Sequence, residues 1–355
     1  MTNAPESRST VGSGGAARRV VVGVMTGTSI DGLDAALVRI DGRGLEMRAS
    51  LVRHLEVPLG PLGDDLRRAA AQEPLSAASF AELAWSFGEL HACAIATLVE
   101  EEARPDLVAA HGQTVFHHPP VSWQLLNPFP IAQRLGCPVV CDLRQADLAA
   151  GGQGAPITPL ADWVLFRDPT RPVAVVNLGG FCNITLLPAD RPGPNGAVEN
   201  LDGIRGFDVC ACNHILNAVA VRALGTPFDR DGAAATAGRV DHDAARALTD
   251  RLDAQRSAGR SLGAGDEALA WAVEGAAAVA RGEGPPADLA ATAVEGVAGS
   301  IAAALDKGFA TIAPGAGTGS GPSPLVVLAG GGARNAALFQ AIERRSQIEV
   351  IASDD

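Results

Sequence analysis

Eight consecutive residues near the start of the chain, Gly27-Thr28-Ser29-Ile30-Asp31-Gly32-Leu33-Asp34, combine small hydrogen-bond donors with two carboxylates. Backbone N–H groups of a glycine turn approach phosphate oxygens closely because no Cβ intervenes, and Thr and Ser hydroxyls add donors. An ordinary hairpin turn uses the same residue types, so the stretch alone leaves both readings open. An apolar run precedes it, Val20 to Met25, and another follows, Ala35 to Ile40, which predicts strand, Gly turn, strand. In the second half of the chain, Pro172 to Asn177, Gly179, Gly180 and Asn183 to Leu187 repeat that layout without repeating the sequence. Two such halves place two Gly turns across a cleft, an arrangement suited to a nucleoside triphosphate.

Further polar groups stand just past predicted strands, where α/β sheets place ligands. Leu107 to Ala110 opens onto His111, Gly112, Gln113 and Thr114; Pro138 to Cys141 opens onto Asp142, Arg144 and Asp147. Thr114 offers a hydroxyl there, whereas Arg144 and Asp147 either bind a ligand or pair with each other. Asp208, on its own, reads as a cap on the helix predicted from Asn213. Leu325 to Ala329, then Gly330, Gly331 and Gly332, then Asn335 to Arg345 predict strand, tight turn and helix, with glycines that let the backbone pass close to adenine or ribose. Helical periodicity also predicts helices over Leu62 to Ala71, Phe80 to Ala103, His242 to Ala254, Glu267 to Ala280 and Asp288 to Asp306. Ala313 to Pro324 reads as a flexible linker.

Composition removes several mechanisms. Lys307 is the single lysine and there is no tyrosine. A Walker A loop, a protein kinase and Schiff-base catalysis each need a placed lysine, and Lys307, between an Ala-rich helix and a linker, suits none of them. Arginine and a divalent metal must then carry the counter-charge for phosphate. The formal charge of −12 over 355 residues argues against nucleic acid or a membrane surface as partner. No Glu or Cys stands at zinc-ligand spacing around His111, His117 and His118, and the spacings of Cys137 with Cys141 and Cys210 with Cys212 are atypical of zinc sites. The six cysteines read as reduced thiols. Met1 to Arg19 lacks the apolar core of a signal peptide, so a cytoplasmic protein is expected.

The segment Met25-Thr-Gly-Thr-Ser-Ile-Asp-Gly-Leu-Asp34 resembles the opening signature of the anhydro-N-acetylmuramic acid kinases, and further blocks follow in that family's order. His111-Gly-Gln-Thr114 comes with His118-Pro119, then Asp142-Leu-Arg144 with Asp147-Leu-Ala-Ala-Gly-Gly-Gln-Gly-Ala-Pro156. Asn177-Leu-Gly-Gly-Phe181 with Asn183, Gly206-Phe-Asp208 with Asn213, Phe228-Asp-Arg-Asp-Gly232 and Gly330-Gly-Gly-Ala-Arg-Asn335 complete the series. The resemblance implies the α/β fold of the sugar kinase, actin and Hsp70 ATPase superfamily: a two-lobed, ribonuclease H-like architecture with mixed sheets and a central cleft for ATP and Mg²⁺. It implies that water opens the 1,6-anhydro bridge while the freed O6 receives the γ-phosphate, in recycling of cell-wall sugar. It places Asp208 as catalytic base and Thr114 and Asp147 near the substrate. It places ATP on Gly27, Thr28, Ser29, Ile30, Asp31, Gly32, Leu33, Asp34, Gly179, Gly180, Gly330, Gly331 and Gly332. A homodimer is also implied.

The expected organisation is a disordered extension over 1–19, an N-terminal lobe over 20–146 and a C-terminal nucleotide-binding lobe over 147–355. Two departures from the family stand out. Cys210 and Ala211 replace a Gly-Pro pair after the base, and the family continues past the equivalent of Asp355 through a further turn and helix. They make two alternatives worth testing: a nucleotide- or muropeptide-binding protein without turnover, and a kinase for another sugar.

Overall fold

The computed structural model describes residues 18–27, 30, 32–100, 104–190, 201–256, 262, 265, 268–313 and 322–353. In chain order its elements are β1 (Arg18–Met25), β2 (Gly32–Asp41), β3 (Arg48–Pro58), α1 (Pro61–Ala70), α2 (Ala77–Leu98), β4 (Leu107–Ala110), β5 (Gln113–His118), β6 (Val121–Leu125), α3 (Phe129–Leu135), β7 (Val139–Val140), α4 (Gln145–Ala149) and α5 (Pro159–Phe166). There follow β8 (Val173–Leu178), β9 (Phe181–Leu187), β10 (Arg205–Ala211), α6 (Asn213–Val219), α7 (Ala233–Ala237), α8 (His242–Arg256), α9 (Leu269–Ala280), α10 (Pro286–Ile312), β11 (Leu325–Ala329), α11 (Ala336–Ser346) and β12 (Glu349–Ala352).

The strands form two five-stranded sheets, ordered β3-β2-β1-β4-β7 and β10-β9-β8-β11-β12, and β5 and β6 pair as a separate hairpin. In each sheet three antiparallel strands are followed by two parallel ones. The layout repeat expected from the sequence is thus a repeat of topology, and it gives the mixed-sheet, ribonuclease H-like architecture of actin-like ATPases.

Each sheet has its own core. On the first, Val22, Val24, Leu33, Ala35 and Leu37 alternate with exposed or half-buried neighbours, so one face packs on Leu66 of α1 and on Phe87, Ile95 and Leu98 of α2. The second sheet is covered on both faces, which is why β8 reads as an unbroken apolar run. Ala174, Val176 and Leu178 face α10 and α11, while Val173 and Val175 face Trp163 of α5. Helix α10 is apolar and long enough to cross a membrane, but 83% of its most apolar window is buried inside this core. Gly296 of α10 lets α8 approach, since a Cβ there would stand 2.7 Å from Leu248. Each large aliphatic side chain buried along α10, such as Ile301 or Leu305, contributes roughly 1.5–3 kcal/mol of transfer free energy.

Several elements differ from the sequence expectation. β1 begins at Arg18, so Arg18 and Arg19, expected within the disordered extension, pair with Asp41 and Ile40. Residues 1–17 lie outside the described residues, as does most of the expected linker, 314–321. Helix α2 starts at Ala77, where the Ser76 hydroxyl accepts from the Ser79 N–H at 3.0 Å. Helix α6 passes into a π-wound segment over Ala220–Leu224. Asp208 lies within β10 rather than capping a helix; the residue before α6 is Cys212, which makes no side-chain cap.

Candidate active site

β1, β4 and β7 run parallel, so their carboxyl ends share one edge of the first sheet. That edge carries Thr26 and Gly27 after β1, His111 after β4, and Asp142 to Arg144 after β7. β8, β10 and β11 likewise end on one edge of the second sheet. Direct cross-strand pairing aligns Asn177 with Asn183 and Asn183 with Asp208, a polar row across β8, β9 and β10. The row lies on the α5 side of the sheet, beyond the buried pair in which Thr185 donates to Asp162 at 2.5 Å.

Arg144, on the first edge, is held by two neutral acceptors. Its Nε donates to His111 Nε2 at 3.0 Å and its Nη1 to the Gly154 carbonyl at 2.6 Å. Burial lowers the pKa of Arg144, and attraction to Asp208 opposes that shift. Asp208 is half-buried, and its Oδ2 accepts from the Leu262 N–H at 2.8 Å. A β-bulge between Asp208 and Cys210 breaks the strand's regular alternation next to the carboxylate. The segment carrying Gly154 reaches β10 through Pro156 and Pro159, which lie so close to Gly206 that a Cβ there would stand 2.9 and 2.5 Å from their Cγ atoms.

Asp147 is committed locally: its Oδ2 accepts from the Gly154 N–H at 2.7 Å, and the carboxylate occupies the space a Cβ on Gly152 would need. Thr114 lies on β5, where its Oγ1 accepts from Gln124 Nε2 at 3.3 Å. Next to it a polar cluster links His117 Nδ1 to Ser122 Oγ at 2.9 Å and Gln124 Nε2 to the same oxygen at 2.8 Å. Gln113 Oε1, Gln124 Oε1 and His117 Nε2 are buried without a partner among the described residues, acceptors left over for water or ligand. Burial, then the Arg144 charge, lowers the pKa of His117.

Of the first glycine turn, Thr28, Ser29 and Asp31 lie outside the described residues. The Ile30 N–H donates to the Gly27 carbonyl at 3.1 Å, and Arg67 Nη2 donates to the Ile30 carbonyl at 2.9 Å. Ile30 is buried with φ +53°, a left-handed conformation that costs a β-branched residue about 1–3 kcal/mol. Its side chain in the core holds Ile30 itself in that conformation. Gly32, Leu33 and Asp34 already belong to β2; Leu33 is sealed in the core, and Asp34, on the opposite face, meets His54 Nε2 at 3.2 Å. The Thr26 hydroxyl is buried and has no hydrogen-bond partner among the described residues.

In the second turn, Gly179 and Gly180 offer carbonyls to the first N–H groups of α6: Asn213 donates to Gly179 at 3.0 Å and Cys212 to Gly180 at 2.9 Å. Gly330 and Gly332 are required by packing, since Cβ atoms there would lie 2.5 Å from Asn177 Oδ1 and 2.7 Å from Leu178 Cβ; Gly331 faces open space. The Phe228 to Gly232 segment packs Gly232 against Asn335, whose Oδ1 caps α11. Cys210 and Ala211 are fully buried in the core of the second sheet, so they leave the surface of the cleft unaltered. All six cysteines are free. Among the described residues no group of three or more His, Cys, Asp or Glu side chains gathers as a metal site.

The family model for anhydro-N-acetylmuramic acid kinase matches residues 19–355. The chain belongs to this family. Relatives with the name anhydro-N-acetylmuramic acid kinase include a Salinibacter ruber protein, 39% identical over 265 residues that cover 70% of this chain. That alignment spans 64% of the relative's own length. A Chromohalobacter salexigens kinase of the same name is 36% identical over 332 residues, covering 91% of this chain and 83% of the relative. An Acidiphilium cryptum one is 35% identical over 330 residues, covering 91% and 82%. Among solved structures, component A of the Acidaminococcus fermentans (R)-2-hydroxyglutaryl-CoA dehydratase aligns over 94% of this chain and 91% of its own, with 12% identity and a TM-score of 0.45. The π-wound segment Ala220–Leu224 lies outside the blocks by which the family was recognisable in the sequence, whereas the strained Ile30 lies inside the first of them.

Proposed function

We propose that the protein adds water across the anhydro bridge of 1,6-anhydro-N-acetylmuramic acid and transfers the γ-phosphoryl group of ATP to the freed O6, giving N-acetylmuramic acid 6-phosphate and ADP. The observation that carries this reading, beside family membership, is Asp208 on the edge strand β10, whose charge attracts the Arg144 guanidinium held at the edge of the first sheet. Water attacks the anomeric carbon as its proton passes to the Asp208 carboxylate, and the C1–O6 bond breaks. O6 then forms its bond to phosphorus while the bond from phosphorus to the ADP oxygen breaks, so no separate acid is needed for O6.

Thr114 and Asp147 stand on the sugar side in this reading, Thr114 through its hydroxyl and Asp147 by shaping the Gly151 to Gly154 turn. The residues fit a triphosphate without lysine. The buried Thr26 hydroxyl and the open face of Gly331 offer a hydroxyl and backbone donors. Mg²⁺ keeps several waters and takes its oxygens mainly from phosphates, so it requires no cage of side chains; when bound it neutralises charge on the transferring group. The lobes are assigned as 20–146 and 147–355, and the protein is placed in the cytoplasm as a homodimer. A kinase for another hexose or amino sugar remains the competing substrate assignment.

Mass spectrometry of the product formed from the anhydro sugar, ATP and Mg²⁺ in oxygen-18 water tests the reaction. One label at the anomeric oxygen together with one added phosphate is expected. ADP release without label, or turnover of ordinary hexoses in preference to the anhydro sugar, contradicts it.

A further inference from the structure

We infer that His111 is a positioning residue: its uncharged ring holds the Arg144 guanidinium toward Asp208 and takes no part in proton transfer. The inference rests on the reading of Asp208 as the base. It starts from the ring's two hydrogen bonds. His111 Nδ1 lies 2.9 Å from the Gly112 carbonyl oxygen, an atom that only accepts, so Nδ1 carries the proton. Nε2 lies 3.0 Å from Arg144 Nε, a group that only donates, so Nε2 supplies a lone pair. Both ring nitrogens are committed, and a second proton would break the bond to Arg144. Burial, followed by the Arg144 charge, holds the pKa of His111 down at about 4.

The chemistry of the acceptors explains why histidine stands there. Nη1 of Arg144 donates to the Gly154 carbonyl at 2.6 Å, and Nη2 has no protein partner among the described residues. Both groups that fix the guanidinium are therefore neutral. A carboxylate at position 111 would hold the same Nε but cancel the charge. A neutral imidazole fixes direction and leaves the charge to act on Asp208 and on an anionic ligand. His111 is itself anchored, because its N–H donates to the Val24 carbonyl at 3.0 Å, tying it to the strand that enters the first glycine turn.

Steady-state kinetics of His111→Phe, His111→Gln, Arg144→Gln and the His111→Phe/Arg144→Gln pair test the inference, with KM for sugar and for ATP measured separately. His111→Phe is expected to lower kcat/KM for the sugar about 10- to 100-fold, with KM for ATP within about twofold. His111→Gln keeps an acceptor near the Nε2 position and should recover most of that loss. Adding His111→Phe to Arg144→Gln should cost less than about threefold more, because the ring acts through the guanidinium. Fully multiplicative losses, or a Gln variant as impaired as the Phe variant, overturn the inference. Nitrogen-15 NMR of histidine-labelled wild-type protein supplies a reading free of turnover. At about pH 6, close to the ordinary histidine value, His111 should be the Nδ1–H tautomer, with an Nε2 resonance that moves in Arg144→Gln. An imidazolium or an Nε2–H tautomer overturns the inference. If the wild type releases no ADP on adding the sugar, the reaction assignment falls, and the NMR result still decides the role of His111.

Discussion

Gly206 on β10 packs against the segment that carries Gly154, whose carbonyl holds Arg144, and replacing it by alanine isolates that contact. Its φ lies outside the left-handed region, so the substitution brings no backbone strain and acts through the added methyl group alone. That methyl would stand 2.5 Å from Pro159 Cγ and 2.9 Å from Pro156 Cγ. Proline rings yield only by a change of pucker, so the 154–159 segment must take up most of the roughly 1 Å needed to restore ordinary contact. Overpacking of this kind costs about 1–3 kcal/mol, which for a chain of this length lowers Tm by about 1–4 °C. The same movement displaces the Gly154 carbonyl that holds Arg144, and a displacement near 1 Å costs about 10- to 100-fold in turnover. Thermal melting and kcat/KM measured on one preparation read both effects. Gly23→Ala is the control, because nothing lies within 4 Å of a Cβ at that position. A Gly206→Ala protein with unchanged Tm and unchanged turnover would refute the reasoning that this contact braces the site.

Three other predictions concern stability. Glu295 of α10 is buried and accepts from Arg344 at 2.6 Å and Arg345 at 2.7 Å, both on α11. Because the arginines are partly exposed, Glu295→Ala should cost about 1–3 kcal/mol in urea unfolding rather than the value for a fully buried pair. Burial lowers the pKa of His91 to about 4, and His111 is likewise held at about 4. The unfolded chain therefore binds more protons than the folded one between about pH 6.5 and 4. Stability should fall as pH drops through that window, by up to about 3 kcal/mol per histidine, and a flat urea midpoint from pH 7 to 4.5 would count against the buried neutral rings. Gly232 has φ +70° and its Cβ position coincides with Asn335 Oδ1, the cap of α11. Gly232→Ala should destabilise by about 1–3 kcal/mol, and an unshifted melting curve would contradict that geometry.

The sheets were legible where strands are apolar runs between glycine turns. Val20 to Met25 and Pro172 to Asn177 announce β1 and β8, and the repeated turn after each announces the duplicated topology. β10 escaped because its first four residues, Arg205 to Asp208, are polar, glycine or only half-buried and its buried residues run consecutively after them, so neither alternation nor a long apolar run marks it. The hairpin of β5 and β6 and the helices α3 to α5 escaped because they are too short for periodicity to show. Within the site, Arg144 was visible as a polar group past a strand. Its bond to His111 was not, because the two are distant in sequence and meet only when β4 and β7 lie side by side. The glycines show the converse limit. Gly330 and Gly332 read as ligand contacts, yet packing against Asn177 and Leu178 already demands glycine there.

The central claim is that Asp208 removes the proton from the attacking water. Asp208→Asn keeps the side chain's shape and its acceptor for Leu262 while abolishing the basic carboxylate. Measured against wild type, its kcat for sugar-dependent ADP release should fall about 10²- to 10⁴-fold, with calorimetric affinity for ATP within about twofold. An Asn variant that turns over within about threefold of wild type would contradict the account.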